Sequence, residues 1–174
     1  YILLTKNGVD VKGNYPDIYR YLDGFGQSFK MRGAKGKHWF NLRAVAFFED
    51  FKKPKIVWIE LSENGRFALC EEELYLLNSA YFLIPPPMIE IKYLLAILNS
   101  KLISFYLELI AETSGMGVNR WINNYVKEFP IVLASAGEQN RVIHLVDCIL
   151  ESKRINHLAD TSKLEFEIDH LVYQ

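Results

Sequence analysis

Few residues of this chain stand at spacings that serve chemistry. His144 and Cys148 lie four apart, one helical turn, so an imidazole and a thiol could share a metal ion. Zinc takes about four ligands. No second pair stands nearby, so His144 reads as a half-buried helix residue instead. Glu90-Ile91-Lys92 has the Glu-x-Lys form of many metal-dependent nucleases. That form needs a further acidic residue on a neighbouring strand to hold the ion beside the lysine. Here it follows Pro85-Pro86-Pro87 and opens a helix, where a carboxylate is favoured for another reason, the positive end of the helix dipole. Gly115-Met116-Gly117 is a lone Gly-x-Gly after a helix, and a helix C-cap accounts for its first glycine.

Other chemistry is missing. The sequence holds no nucleophile elbow, no phosphate loop and no Cys-x-x-Cys pair. It lacks the Asn-Pro-Pro-Tyr segment that seats a flipped adenine, and no Gly-rich loop follows a strand in a way that would hold S-adenosylmethionine. Binding, rather than catalysis, is what remains.

The elements that would carry a binding surface can be read from periodicity. Residues 1–5 are apolar and strand-like, and Asn7-Gly8 marks a turn. Pro16 opens a short helix over residues 15–22, which Gly24 and Gly26 end. Trp39, Phe40 and Leu42 predict a short strand or strand-like turn, with Trp39 and Leu42 in the core. The run Ile56, Val57, Trp58, Ile59 predicts a strand. Asn64-Gly65 separates it from a second β run over residues 66–69, a strong hairpin signal. Residues 81–84 predict another strand, stopped by three prolines.

Helices follow. Leu94, Leu95, Leu98, Leu102, Phe105 and Leu109 recur at three- and four-residue steps, predicting one buried stripe on a helix from Ile91 to about Ala111. A shorter helix is expected over residues 121–129, before Pro130. Ser135 with Glu138, and Ser162 with Glu165, have the capping-box spacing. They predict two last helices, with Val142, Leu145, Val146, Ile149 and Leu150 on one face of the first and Ile168, Leu171 and Val172 on one face of the second. A short loop between them favours antiparallel pairing. The fold class is therefore α+β: a small, mostly antiparallel sheet with hairpins in the N-terminal half and helices packed on it in the C-terminal half.

With 174 residues the chain is long enough for one domain with a sizeable core and short for two. Its opening strand and closing helix read as cut elements, so residues 1–174 are expected to be a single domain from a longer protein. Two cysteines, Cys70 and Cys148, cannot build a disulfide framework and read as small buried hydrophobes. Asn99, Lys101 and Glu108 interrupt the most apolar run, which argues against a membrane span, and a cytoplasmic setting is expected. The net charge of -1 does not announce a nucleic-acid binder. Its distribution is uneven: Lys30, Arg32, Lys35, Lys37, Arg43, Lys52, Lys53 and Lys55 are opposed only by Glu49 and Asp50, while Glu71, Glu72 and Glu73 cluster further on.

The order of segments is more specific than any one of them. A Tyr-Pro-x-Ile…Leu helix opening (Tyr15, Pro16, Ile18, Leu22) is followed by Arg32 and by KGKHWFNLR over residues 35–43. Then come KPKIVWIEL over 53–61, Arg66-Phe67-Ala68, the strand ending Tyr81-Phe82-Leu83-Ile84, LLAILNSKLISFY over 94–106, a Gly loop and Phe129-Pro130-Ile131. The stretches 139–150 and 168–173 close the series. This succession resembles the TaqI-like C-terminal specificity domain, fused to adenine methyltransferases in Type IIG restriction–modification enzymes and related to Type I specificity subunits. The resemblance implies a non-catalytic DNA-reading domain, with double-stranded DNA and a covalently linked upstream methyltransferase domain as partners. Enzymes that modify a base extrude it from the stack, so reading and chemistry can sit on separate domains. S-adenosylmethionine and Mg²⁺ are then expected of the full-length enzyme and not of this chain. The alternatives are a protein-interaction or scaffolding domain and a nuclease built on Glu90 and Lys92.

Within a DNA-reading domain the polar candidates fall into two sets. Lys35, Lys37 and His38 lie in a Gly-spaced loop whose donors suit phosphate oxygens, or which is simply solvated. Lys52, Lys53 and Lys55 precede a strand and could clamp a phosphate. Arg43 could read guanine through O6 and N7 or pair with a carboxylate. Asn64 and Arg66 flank the hairpin turn, where a side chain could meet base edges and where Asn64 equally serves the turn. Asn119 and Arg120, with Asn123 and Asn124, follow the Gly loop, where they could read bases or cap a helix.

Overall fold

In the computed structural model, which describes residues 2–63, 66–111 and 119–173, contacts group the chain into two compact units, Tyr1–Glu49 and Asp50–Gln174. The first is held by polar clamps around a small apolar core. Asp10 caps helix α1 (Val11–Asn14) by accepting the Gly13 N–H at 2.9 Å. Pro16 supplies a pre-set first turn to α2 (Pro16–Asp23), and Gly26, at φ 79°, lets the chain turn into α3 (Gly26–Lys30). Val11, Leu22 and Phe40 are buried, with Ile18, Tyr19, Phe29 and Trp39 packed against them.

The opening residues do not form the expected strand, and residues 39–42 make a turn. Their partners are side chains as much as backbone. Buried Asn41 donates to the carbonyls of Thr5 and Lys6, both at 3.2 Å, and accepts the His38 N–H at 3.1 Å. Thr5 donates its hydroxyl to Phe40 O at 2.7 Å. Trp39 is only half-buried, and Leu42 is exposed. Arg32 takes the place expected of core packing: its guanidinium lies 4.0 Å from the Phe29 ring centroid and donates to the carbonyls of Phe29, Trp39 and Asn41.

In the second unit, β1 (Lys55–Ile59) is the middle strand of an antiparallel sheet of order β2-β1-β3, flanked by β2 (Ala68–Cys70) and β3 (Ala80–Leu83). Val57 pairs with Ala68 on one side and with Phe82 on the other. This register leaves ten residues between the two paired positions, so the β1–β2 ladder does not run into a two-residue turn. Asn64-Gly65 itself lies outside the described residues.

The long apolar segment is two helices, α4 (Ile91–Leu98) and α5 (Lys101–Ile110), bent by 60°. Ser100 ends one and caps the other, accepting the Ile103 N–H. The break shifts the buried face: Leu94, Leu95 and Leu98 are buried as expected, but beyond it Ile103 and Leu107 take over, and Phe105 and Leu109 are exposed. No single helix among the described residues is long and apolar enough to cross a membrane.

Helix α6 (Asn123–Val126) is shorter than expected, although Trp121 and Phe129 on either side are buried. The Ser135–Glu138 capping box opens α7 (Ala136–Ile155), which buries Val142, Leu145 and Val146. For α8 (Ser162–Val172) the cap is Thr161, one residue earlier than the spacing implied, with its hydroxyl on Glu165 at 2.5 Å. Helices α7 and α8 pack on each other, and α7 packs on α4. Three short helices, then the three strands, then the larger helices make the fold α+β. Cys70 and Cys148 are partly exposed rather than buried.

Candidate nucleic-acid interface

In the first unit the basic loop is fixed from below. A Cβ on Gly36 would lie 2.3 Å from Asn7 Oδ1 and 2.5 Å from Leu42 O, so only glycine fits there. The Lys37 N–H donates to Asn7 Oδ1 at 2.8 Å. The loop thereby presents Lys35, Lys37 and His38 to solvent. Lys35 Nζ reaches the carbonyl of Lys30 at 2.9 Å, and the His38 ring stacks on Phe40 with centroids 5.1 Å apart. Lys37 and His38 line a cleft of about 200 Å³ with Gly8, Val9, Asp10 and Phe40. Arg43 is exposed and forms no ion pair among the described residues.

The three lysines around the start of β1 have separate fates. Lys52 and Lys53 are exposed, and Lys53 pairs with Asp50 at 2.7 Å. Lys55 is fully buried. Its ammonium donates to the carbonyls of Phe51 (2.8 Å), Lys53 (3.1 Å) and Glu72 (2.7 Å). All three of its donors are engaged. Lys55 therefore ties β1 to the chain around it and has no proton left for a phosphate.

The base-reading candidates of the second unit surround the end of β1. Leu61 forms an isolated antiparallel bridge with Arg120, and Trp121 N–H donates to Glu60 O at 2.7 Å. Two indoles lock this junction: Trp58 Nε1 donates to Trp121 O at 2.7 Å and Trp121 Nε1 to Ser62 O at 3.0 Å. Arg120 sits on that fixed backbone with its guanidinium 2.6 Å from Glu60 Oε1. The Glu60 hydrogen bond, then its charge, raise the Arg120 pKa further. Tyr81 OH also reaches Glu60, at 3.4 Å, and its pKa is raised by burial first and by the Glu60 charge second. Asn119 is half-buried, and its carbonyl accepts the Ser62 N–H at 3.5 Å. Arg66 is exposed just before β2 and lines a groove of about 800 Å³ bounded by β2, α4, α7 and α8.

Residues 4–131 match the family model of the TaqI-like C-terminal specificity domain. The chain belongs to this family. No curated protein matches it. A specificity domain is in general non-catalytic and serves DNA sequence recognition in a methyltransferase context. The match covers the first unit beyond residue 3, the sheet and α4 to α6, and α7 and α8 follow it.

The residues that had invited other chemistry are accounted for within this specificity domain. Glu90 stands at the N-terminus of α4, and Lys92 pairs with Asp147 at 2.5 Å, a bond that raises the Lys92 pKa. His144 Nε2 lies 3.9 Å from Cys148 Sγ, and no group of three or more potential metal ligands forms among the described residues. Gly115-Met116-Gly117 lies outside the described residues. Sequence reading overlooked Glu60, which orients Arg120, and the structural role of Arg32. Neither carries a local signal, since their partners are set by backbone turns and by a bridge 59 residues away.

Proposed function

We propose that this specificity domain reads the target of a restriction–modification adenine methyltransferase of the Type IIG kind, related to Type I specificity subunits. It holds the duplex while a covalently linked upstream domain flips and methylates the adenine. S-adenosylmethionine and Mg²⁺ serve that full-length enzyme, in the cytoplasm. The observation that carries the reading is the family match over residues 4–131. It is supported by a loop, residues 35–38, whose backbone is fixed and whose cations face solvent. Fixed backbone with exposed cations suits phosphate contact, which positions a protein on DNA, while arginines on rigid supports suit base edges. In this reading Lys35, Lys37, His38 and Arg43 meet phosphates, Arg66, Asn119 and Arg120 meet bases, and Asn64 is the further candidate at the turn.

The experiment is selection from a pool of randomised duplexes at low salt. A short enriched motif is expected. A pool that stays random through repeated rounds, with the chain folded, would refute sequence reading.

A further inference from the structure

The charge of this chain is divided between its two units. Residues 1–49 carry eight Lys and Arg against four Asp and Glu, a net +4; residues 50–174 carry twelve against seventeen, a net -5. Pairing sharpens the division. In the second unit six cations are already matched to carboxylates: Lys53 to Asp50, Lys92 to Asp147, Lys101 to Asp169, Arg120 to Glu60, Lys127 to Glu128 and Arg154 to Glu151. Lys55 is buried. In the first unit Arg20 pairs with Asp17 and Lys30 with Asp23, and Arg32 holds three carbonyls. Lys6, Lys12, Lys35, Lys37 and Arg43 are exposed, and none has a carboxylate partner among the described residues.

We propose that the N-terminal unit is the phosphate-engaging surface of this chain, with Lys6, Lys12, Lys35, Lys37 and Arg43 as its contacts to the duplex backbone. The acidic C-terminal unit contributes no net phosphate binding. This rests on the DNA reading above and locates its electrostatic part. Exposed cations without a carboxylate partner displace the counterions condensed on DNA, whereas a cation already paired to a carboxylate must first give up that partner. A unit of net negative charge is also repelled by phosphate over a Debye length of about 8–10 Å at ordinary salt. The near-neutral total thus conceals one unit built for the backbone.

Binding of the whole chain to a labelled mixed-sequence duplex, followed by anisotropy from low to moderate salt, tests this. Each phosphate contact contributes about 0.9 to the slope of log affinity against log salt. The triple variant Lys35→Gln, Lys37→Gln, Arg43→Gln is expected to lower that slope by about 2–3, and Lys6→Gln with Lys12→Gln by about 2. The control, Lys127→Gln, Arg141→Gln, Lys163→Gln, removes three exposed cations of the second unit and is expected to leave the slope unchanged. All these positions are exposed, and thermal melting of each variant verifies its fold. A control that flattens the slope as much as the triple variant overturns the proposal, as does a triple variant with the parental slope. An unsubstituted chain that binds no duplex at any salt overturns the DNA reading itself.

Discussion

At residue scale, side chains of the same type do opposite work here. Lys37 and Lys55 looked alike in a basic stretch, but one is exposed and the other is enclosed by three carbonyls. Lys55→Met removes the ammonium and strands those acceptors. Each buried, unpaired polar group costs about 1–3 kcal/mol, so a loss of at least about 2 kcal/mol is expected in urea unfolding. A variant as stable as the parent would show that the carbonyls find water instead. Arg120 and Arg66 carry the specificity prediction. Arg120 is held at one end of β1 by Glu60, so its guanidinium is pre-oriented, and Arg66 is exposed just before β2. A bidentate arginine–guanine contact discriminates by about 1–3 kcal/mol. With the domain linked to a methyltransferase as proposed above, Arg66→Ala or Arg120→Ala is expected to relax one position of the target, read from the spectrum of methylated sites on genomic DNA. Glu60→Gln, which keeps the size but not the charge, is expected to relax the position that Arg120→Ala relaxes. If both arginine variants modify the parental site alone at the parental rate, neither residue reads a base.

At the scale of elements, local signals were legible where both partners are close in sequence. The Ser135–Glu138 box, the strand at residues 55–59 and the prolines after β3 all stand where spacing put them. The break in the long helix escaped the periodicity, because Ser100 caps it locally but the partner of Asn99 is 32 residues away. Asn99 accepts the Phe67 N–H at 3.0 Å and donates to Phe67 O at 2.9 Å, acting as a strand partner for the residue leading into β2. A helix carried through Asn99 would keep Phe105 and Leu109 on the buried stripe; the bend puts Ile103 and Leu107 there. Asn99→Ala leaves both backbone groups of Phe67 without that partner and is expected to cost about 1–3 kcal/mol of stability. Ser135→Ala is expected to cost about 1 kcal/mol, the usual worth of an N-cap. It also has a pH signature. The Ser135 hydroxyl, then its backbone N–H, hold the Glu138 carboxyl below its ordinary value of 4.5. A depressed folded pKa contributes stability that is present above the unfolded value and lost as pH falls through the folded one. Melting temperatures taken from neutral to acid pH should therefore converge for parent and variant on the acid side. Curves that stay parallel through that range would remove the carboxylate from the capping effect.

At the scale of the molecule, the class of fold followed from sequence because the strands stand together in the N-terminal half and the larger helices all follow them. The two-unit division did not, since it depends on clamps such as Asn41 to Thr5 and Lys6 that no periodicity reveals. The candidate interface was half legible for the same reason: the exposed loop at residues 35–38 is local, while Lys6 and Lys12 join it only once charge is counted unit by unit. Catalysis is in general not the task of a specificity domain. Methyl transfer to adenine needs a seat for the methyl donor and a segment that grips the extruded base. Strand cleavage needs acidic groups around a metal, or an activated nucleophile. The sequence contains no Asn-Pro-Pro-Tyr segment, and the residues nearest to a nuclease motif are tied up, with Lys92 bonded to Asp147. The isolated chain is therefore expected to bind a mixed-sequence duplex without altering it when incubated with S-adenosylmethionine and Mg²⁺. Transfer of labelled methyl groups and conversion of supercoiled plasmid are the two readouts. Purification artefacts are separated by a Lys92→Ala variant: an activity that co-purifies with the chain and falls with this substitution would make Lys92 catalytic and the chain an enzyme. An activity absent from both proteins agrees with a chain that binds DNA without altering it.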